Sequence, residues 1–390
     1  MKNERMVMII FACMKIINVF LGPFLVAYFI TASTESIIDV SCFNILNYLC
    51  LCLFGMLAGY VTERRGTLLT FRLGIFVRFL CVLAILFLGD NLVSYYWIVS
   101  FTYGFSSMFF YLPFNLYHTD CVQNCERSNF EFKMNVIKNM VSVFIPIILG
   151  TVISVTNYQL TAFIILIFSV IQIIASFYLK PLPKSDKIYD IFGYLKRAFK
   201  DKQKREMLYV EFLNGLTLSD GVLGTVITIL IMFSFKSEFN LGIINSVVAL
   251  LSLIVLYIYS KHYKGKDDRN VILFSGIVMF LVVILLIINI SKPTIILYNV
   301  IFGIFGTGIL TFIYGLRLFN FAKKKVTNKE KTEYWGAREL FLNLGRVVGY
   351  ILLLFVGLFG VNYLVYLLIF VNFLVLLFTI FLSDIDKNEY

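Results

Sequence analysis

The chain has 390 residues, 60% of them hydrophobic, 17% aromatic and only 15% charged, with a formal net charge of +11. That is more apolar surface than one soluble core can bury, which excludes an ordinary soluble domain and makes the bilayer the expected solvent. The positive charge needs no nucleic-acid partner, because its lysines and arginines fall in alternate breaks between apolar segments, as expected for one membrane face.

A helix needs about 20 apolar residues to cross roughly 30 Å of hydrocarbon. Twelve such segments follow one another, at approximately 6–30, 38–61, 68–88, 94–117, 134–155, 159–179, 207–233, 241–260, 271–291, 295–318, 336–358 and 361–383. The apolar stretch of the first far exceeds the roughly 7–15 residues of a signal-peptide core and no small-residue cleavage site ends it, so it reads as an uncleaved span. Arg64, Arg65 and Arg72 follow the second span, Arg127 and Lys133 the fourth, Lys261, Lys264, Lys266 and Arg269 the eighth, and Lys323, Lys324, Lys325, Lys329 and Lys331 the tenth. The intervening breaks, such as "GDN" and "TNYQ", are nearly free of cations, with Lys236 and Lys292 the exceptions. Positively charged short loops stay in the cytoplasm, so both termini are expected there, in a multi-pass protein of the cell membrane.

The longest break, "KPLPKSDKIYDIFGYLKRAFKDKQKREM", carries nine of the 34 lysines and arginines. It separates an N-terminal six-helix bundle, 1–179, from a C-terminal one, 207–390, with 180–206 as a basic cytoplasmic linker. Within it Ile188, Ile191, Phe192, Leu195 and Phe199 recur at helical spacing opposite Lys196, Arg197, Lys200 and Lys202. That pattern predicts a helix lying on the inner leaflet, with a solvated basic linker as the alternative. A shift of 204 residues sets Arg65 on Arg269, Phe101 on Phe305, Gly104 on Gly308, Glu126 on Glu330 and Asn139 on Asn343. A six-plus-six parallel repeat is therefore expected.

Spans two and three are joined by "AGYVTERRGTLLTFRLG", a charged turn bounded by Gly59 and Gly66. This turn, the two six-span halves, the cytoplasmic termini and the long basic central loop together resemble the major facilitator superfamily of secondary transporters. The family pattern in that loop is G-x-L-A-D-R-x-G-R-R/K; here Gly59, Arg64 and Gly66 fit, Glu63 replaces the aspartate, and Thr67 and Leu68 replace the basic pair. The variant resembles that of drug antiporters. The resemblance implies an all-α integral membrane protein of twelve transmembrane helices in two six-helix halves, working by alternating access around a midplane cavity. It also implies a cytoplasmic latch in this loop, which makes Glu63, Arg64 and Arg65 gating residues, with Arg127 the natural partner of Glu63. Physically, glycine supplies the freedom in φ a tight turn needs, and a carboxylate among arginines forms ion pairs that one state makes and another breaks. The alternative is that the arginines only fix topology.

A charge at the centre of a span costs about 2.5–3.5 kcal/mol even on a lenient scale. Lys15, Arg78, Asp220 and Arg346 sit there. In the resembled fold spans one and seven line the central cavity, so Lys15 and Asp220 face one another. Asp220 is then the candidate for proton coupling, with the distance of Lys15 governing whether it holds a proton; a static ion pair is the alternative. Asn135, Lys138, Asn139 and Ser142 form one polar stripe, Glu339, Asn343 and Arg346 another, and the 204 shift maps the first onto the second. With Asn18, which continues the Lys15 face, they form the candidate substrate cavity, helix-to-helix hydrogen bonding being the alternative. Asn44, Asn47, Tyr111, Asn115, Tyr314 and Arg317 are weaker candidates, and Arg78 has no assigned partner.

His118, Cys121 and Cys125 superficially suggest zinc, but a fourth ligand and paired spacing are missing. "GIFGTG" at 303–308 lies inside a span and is expected to serve close packing or bending. Neither metal nor cofactor is expected, and no nucleotide loop or catalytic triad points to an enzyme. The expected function is secondary transport: proton-coupled export of small amphipathic or cationic compounds, by a monomer whose partners are substrate, protons and lipid. An uptake carrier for a polar or anionic nutrient, favoured by Lys15, Lys138 and Arg346, stays open, as does a non-transporting membrane sensor.

Overall fold

The computed structural model describes residues 2–34, 36–120, 124–182, 189–218, 221–262 and 268–384. They form helices α1 (Asn3–Ala32), α2 (Ser36–Arg65), α3 (Thr67–Leu88), α4 (Tyr96–Asp120), α5 (Asn124–Val155), α6 (Tyr158–Phe177) and α7 (Ile191–Lys200). After these come α8 (in two parts, Lys202–Thr217 and Val222–Phe235), α9 (Glu238–His262), α10 (Asp268–Ile288), α11 (Lys292–Lys325), α12 (Lys331–Phe359) and α13 (Leu364–Asp384).

Among the described residues, eleven candidate membrane spans meet the length and apolarity a crossing needs. The sequence predicts twelve, and the difference is α4. It is a helix of 25 residues, long enough to cross, but Tyr, Ser, Thr, Gly and Pro113 dilute its apolar character. It nevertheless lies inside the protein, packed on α2 and α3, with Val99, Met108, Phe109, Phe110 and Leu112 buried. Two helices also start earlier than their apolar stretches: α8 at Lys202 and α12 at Lys331, each beginning with charged residues.

Two spans contain widened helical turns. In α1 the stretch Phe20–Phe24 includes Pro23, which cannot donate a backbone hydrogen bond. In α11 the stretch Phe302–Leu310 holds the glycine run, and Gly303 lies against the Val248 side chain while its carbonyl accepts from Ser252 Oγ at 2.8 Å. The run thus serves packing and bending within the helix.

The first six helices contact the last six mainly through two seams, α2 on α12 and α5 on α9. α2 meets α12 near its start, where a methyl group on Gly357 would press on Ile38, and at its middle, where Cys52 Sγ lies 3.9 Å from the Leu340 carbonyl. The linker helix α7 forms as its amphipathic pattern predicts, with the Asp190 side chain capping it by accepting from Gly193 N at 2.8 Å. It rests on α8 and α12 through buried Ile191, Tyr194 and Ala198.

Candidate functional site

Glycines decide how closely α8 and α12 approach. A methyl group on Gly215 would collide with the Leu342 carbonyl, and one on Gly345 with the Phe212 carbonyl. Small residues at such a crossing bring two helix backbones together. One turn from this crossing, α8 carries Glu211 and α12 carries Arg338 and Glu339, all buried or nearly so. Arg338 Nη1 donates to Glu339 Oε1 at 2.5 Å, and Arg338 Nε lies 3.3 Å from Glu211 Oε1. Tyr314 of α11 closes the group, donating to Glu211 Oε1 at 2.5 Å while accepting from Arg338 Nη2 at 3.0 Å. Asn115 of α4 donates to Glu339 Oε1 at 3.3 Å, so the group spans both halves of the chain. Two carboxylates touch one guanidinium here, and Glu211 Oε2 has no hydrogen-bond partner among the described residues. Such a group holds a surplus of negative charge that a proton or a cationic ligand can neutralise.

The stripe predicted on α12 shares one face and continues from this cluster. Asn343 Nδ2 donates to the Glu339 carbonyl at 2.7 Å, Arg346 Nη1 donates to Asn343 Oδ1 at 2.7 Å, and the Arg346 guanidinium lies 5.0 Å from the Tyr48 ring centre. Tyr48 stacks on Tyr350 at 5.5 Å, and the Tyr350 hydroxyl is 2.7 Å from Thr225 Oγ1. In this conformation Asn343 bonds within α12, while Glu339 and Arg346 reach Asn115 and Tyr48 across the seam. On α1, Asn18 Nδ2 donates to the Tyr111 hydroxyl at 2.9 Å, and the Lys15 ammonium stands 5.5 Å from the Phe11 ring centre. Lys138 and Asn139 are half-buried on α5. Asp220 and the side chains of Asn135 and Arg127 lie outside the described residues, as does the loop containing Cys121.

In the turn between α2 and α3 Gly66 adopts φ 99°, a conformation that favours glycine and starts α3 immediately after α2. Glu63 is buried, whereas Arg64 lies over Tyr60 at 4.7 Å and Arg65 is exposed. Beside this turn a cavity of about 430 Å³ is lined by Arg65, Thr67, Leu68, Arg72, Pro181 and Leu182.

Sequence reasoning missed Glu211 and Arg338, which the expected spans placed at helix mouths. It left Arg78 without a partner; the structure buries Arg78 completely, with Nη2 donating to Ser107 Oγ at 3.0 Å and the guanidinium 4.9 Å from the Phe110 ring. The signal for Glu211 was its spacing from Asn214 and Leu218 on a helix that continues outward past Met207.

With the cluster and the seams in place, the fold can be set beside known ones. No protein-family model matches the chain. An uncharacterized protein of Bacillus subtilis (strain 168), YqgE, is 24% identical over 298 residues, covering 75% of this chain and 68% of its own. Among solved structures, an auto-inhibited POT family peptide transporter superposes with a TM-score of 0.76 at 11% identity, covering 100% of this chain and 98% of its own. The nucleoside transporter NupG gives 0.72 at 12% identity, covering 99% and 100%. The human organic anion transporter MFSD10 (TETRAN) gives 0.68 at 14%, covering 98% and 99%. The chain has the major facilitator fold. In that fold the seams α2–α12 and α5–α9 are the surfaces along which the two ends of the chain meet.

Proposed function

We propose that this protein is a secondary transporter working by alternating access, with twelve membrane-crossing helices in two halves, 1–179 and 207–390, joined by 180–206. The observation that carries the reading is the buried Glu211–Arg338–Glu339 cluster, which reaches from α8 and α12 to Asn115 of α4. Buried charges cost free energy to keep, which makes such a group a functional candidate, and this one touches helices from both halves. Its surplus negative charge suits a proton and, in its place, the cationic part of a small amphipathic compound. Mutually exclusive occupancy makes proton entry drive substrate exit, which favours export over uptake. Asp220 with Lys15 is the second proposed coupling pair, and Asn18, Asn135, Lys138, Asn139, Asn343 and Arg346 line the route when the seams part. The proposed setting is the cell membrane, with a monomer whose termini and basic loops face the cytoplasm.

The test is substrate-triggered proton flux in proteoliposomes across cationic drugs, sugars, amino acids and peptides, with Glu211→Gln and Asp220→Asn beside the parent. Drug-triggered flux lost in Glu211→Gln assigns coupling to the cluster; loss in Asp220→Asn alone assigns it to Asp220. Transport of a polar nutrient without proton movement overturns the exporter and favours the uptake reading that Lys15, Lys138 and Arg346 suggest.

A further inference from the structure

The linker touches both halves at one residue. Tyr189, immediately before α7, lies with its ring against the Cα of Gly59 on α2: a methyl group there would meet ring atoms Cε1 and Cε2 at 2.5 and 2.6 Å. The Tyr189 hydroxyl in turn lies against Gly336 on α12, where a methyl group would collide with the phenolic oxygen. One glycine from each half therefore forms a slot that exists only because both lack side chains. Buried Glu63 and Glu333 flank it, and burial, then the charges of Glu333 and Glu63, hold the Tyr189 phenol above its ordinary pKa. The ring thus sits in its slot neutral.

Two further features make the arrangement reversible. The Tyr189 hydroxyl is buried without a hydrogen-bond partner among the described residues, so leaving the slot restores to it the hydrogen bonds of water. The helix behind it rests mainly on the C-terminal half: Ile191, Tyr194 and Ala198 are buried against α8 and α12, and Arg197 approaches Glu330 at 3.4 Å. A ring tethered to one half and inserted against the other is a fastening between them.

We propose that Tyr189 is a removable bolt: seated between Gly59 and Gly336 it holds α2 against α12 at the basic end, and its withdrawal accompanies opening of that end. This deepens the alternating-access reading and rests on it, since it assigns one contact whose making and breaking separates two states. Cys52 is a built-in reporter. It is buried two helical turns from Gly59 on the same side of α2, and its Sγ faces the Leu340 carbonyl, one turn from Gly336.

The experiment is the rate of N-ethylmaleimide labelling at Cys52, mapped by mass spectrometry on the full chain in proteoliposomes without substrate. Tyr189→Ala removes the bolt and Gly59→Ala evicts it, so each is expected to raise the rate about tenfold by raising the open population. Tyr189→Phe keeps the ring and sheds the unpartnered hydroxyl, so it is expected to label at or below the parental rate. Parental labelling in both Tyr189→Ala and Gly59→Ala, with unfolding temperatures unchanged, overturns the proposal. So does accelerated labelling in Tyr189→Phe equal to that of Tyr189→Ala, which would reduce the residue to its hydroxyl. Because no substrate is present, failure of the transport reading would show as absent flux in the parent and leave these rates untouched.

Discussion

The two seams between the halves are built from different materials. Along α5–α9 the backbones touch: a methyl group on Gly150 would lie 2.7 Å from the Glu238 carbonyl, and one on Gly242 3.3 Å from the Gly150 Cα. The Ile147 amide donates to Ser246 Oγ at 3.1 Å beside these contacts. Along α2–α12 the contact runs through long side chains instead, with Arg346 over Tyr48, Tyr48 on Tyr350, and Asn115 of neighbouring α4 reaching Glu339. Backbone contacts have one geometry and are lost when the helices separate by an ångström or two, because dispersion falls steeply with distance. Long side chains can change rotamer and partner while their helices move. On the proposed alternating-access reading, the glycine seam is the hinge or stop and the charged seam the place where changes of ionisation would act.

The comparison breaks most severely at Arg338. Arg338→Met leaves two carboxylates buried without their cation and is expected to lower stability by about 3–5 kcal/mol, read as thermal unfolding in detergent. Adding Glu211→Gln to it should recover part of that loss; no recovery would mean that the guanidinium acts by packing alone. The opposite seam is next. Gly242→Leu forces α5 and α9 apart and is expected to cost about 1–3 kcal/mol, with Leu250→Ala, on the exposed face of α9, as the control. The smallest effect is expected from Tyr350→Phe, which keeps the stack on Tyr48 and removes the hydrogen bond to Thr225, at about 1 kcal/mol. An effect there as large as that of Arg338→Met would make the Tyr350 hydroxyl, not the ions, the fixed point of the seam.

Much of this architecture is legible in the sequence because bilayer thickness imposes a length on every span and charge marks its ends. The stripe Glu339, Asn343 and Arg346 is likewise a local signal, since residues three and four apart share a helix face, and the structure bonds these side chains to one another. Glu211 and Arg338 escaped because hydropathy finds where apolar residues begin, while α8 and α12 begin about a turn earlier, at Lys202 and Lys331. Helices that extend beyond the apolar stretch carry charged residues inward with them. Tyr189 escaped for another reason: its slot is made by residues 59 and 336, and no local pattern relates them.

Arg78 bears on how the chain is assembled. Its neighbours, Ser107, Phe110 and Tyr103, all belong to the following helix, so α3 alone would present a bare guanidinium to lipid at a cost of about 2.5–3.5 kcal/mol. The pair α3–α4 lowers that cost for both partners, giving the arginine a hydroxyl and two rings and giving the weakly apolar α4 a reason to enter the bilayer. Membrane insertion of these two helices is therefore a joint event, and the hairpin, not the single helix, is the unit handed to the lipid.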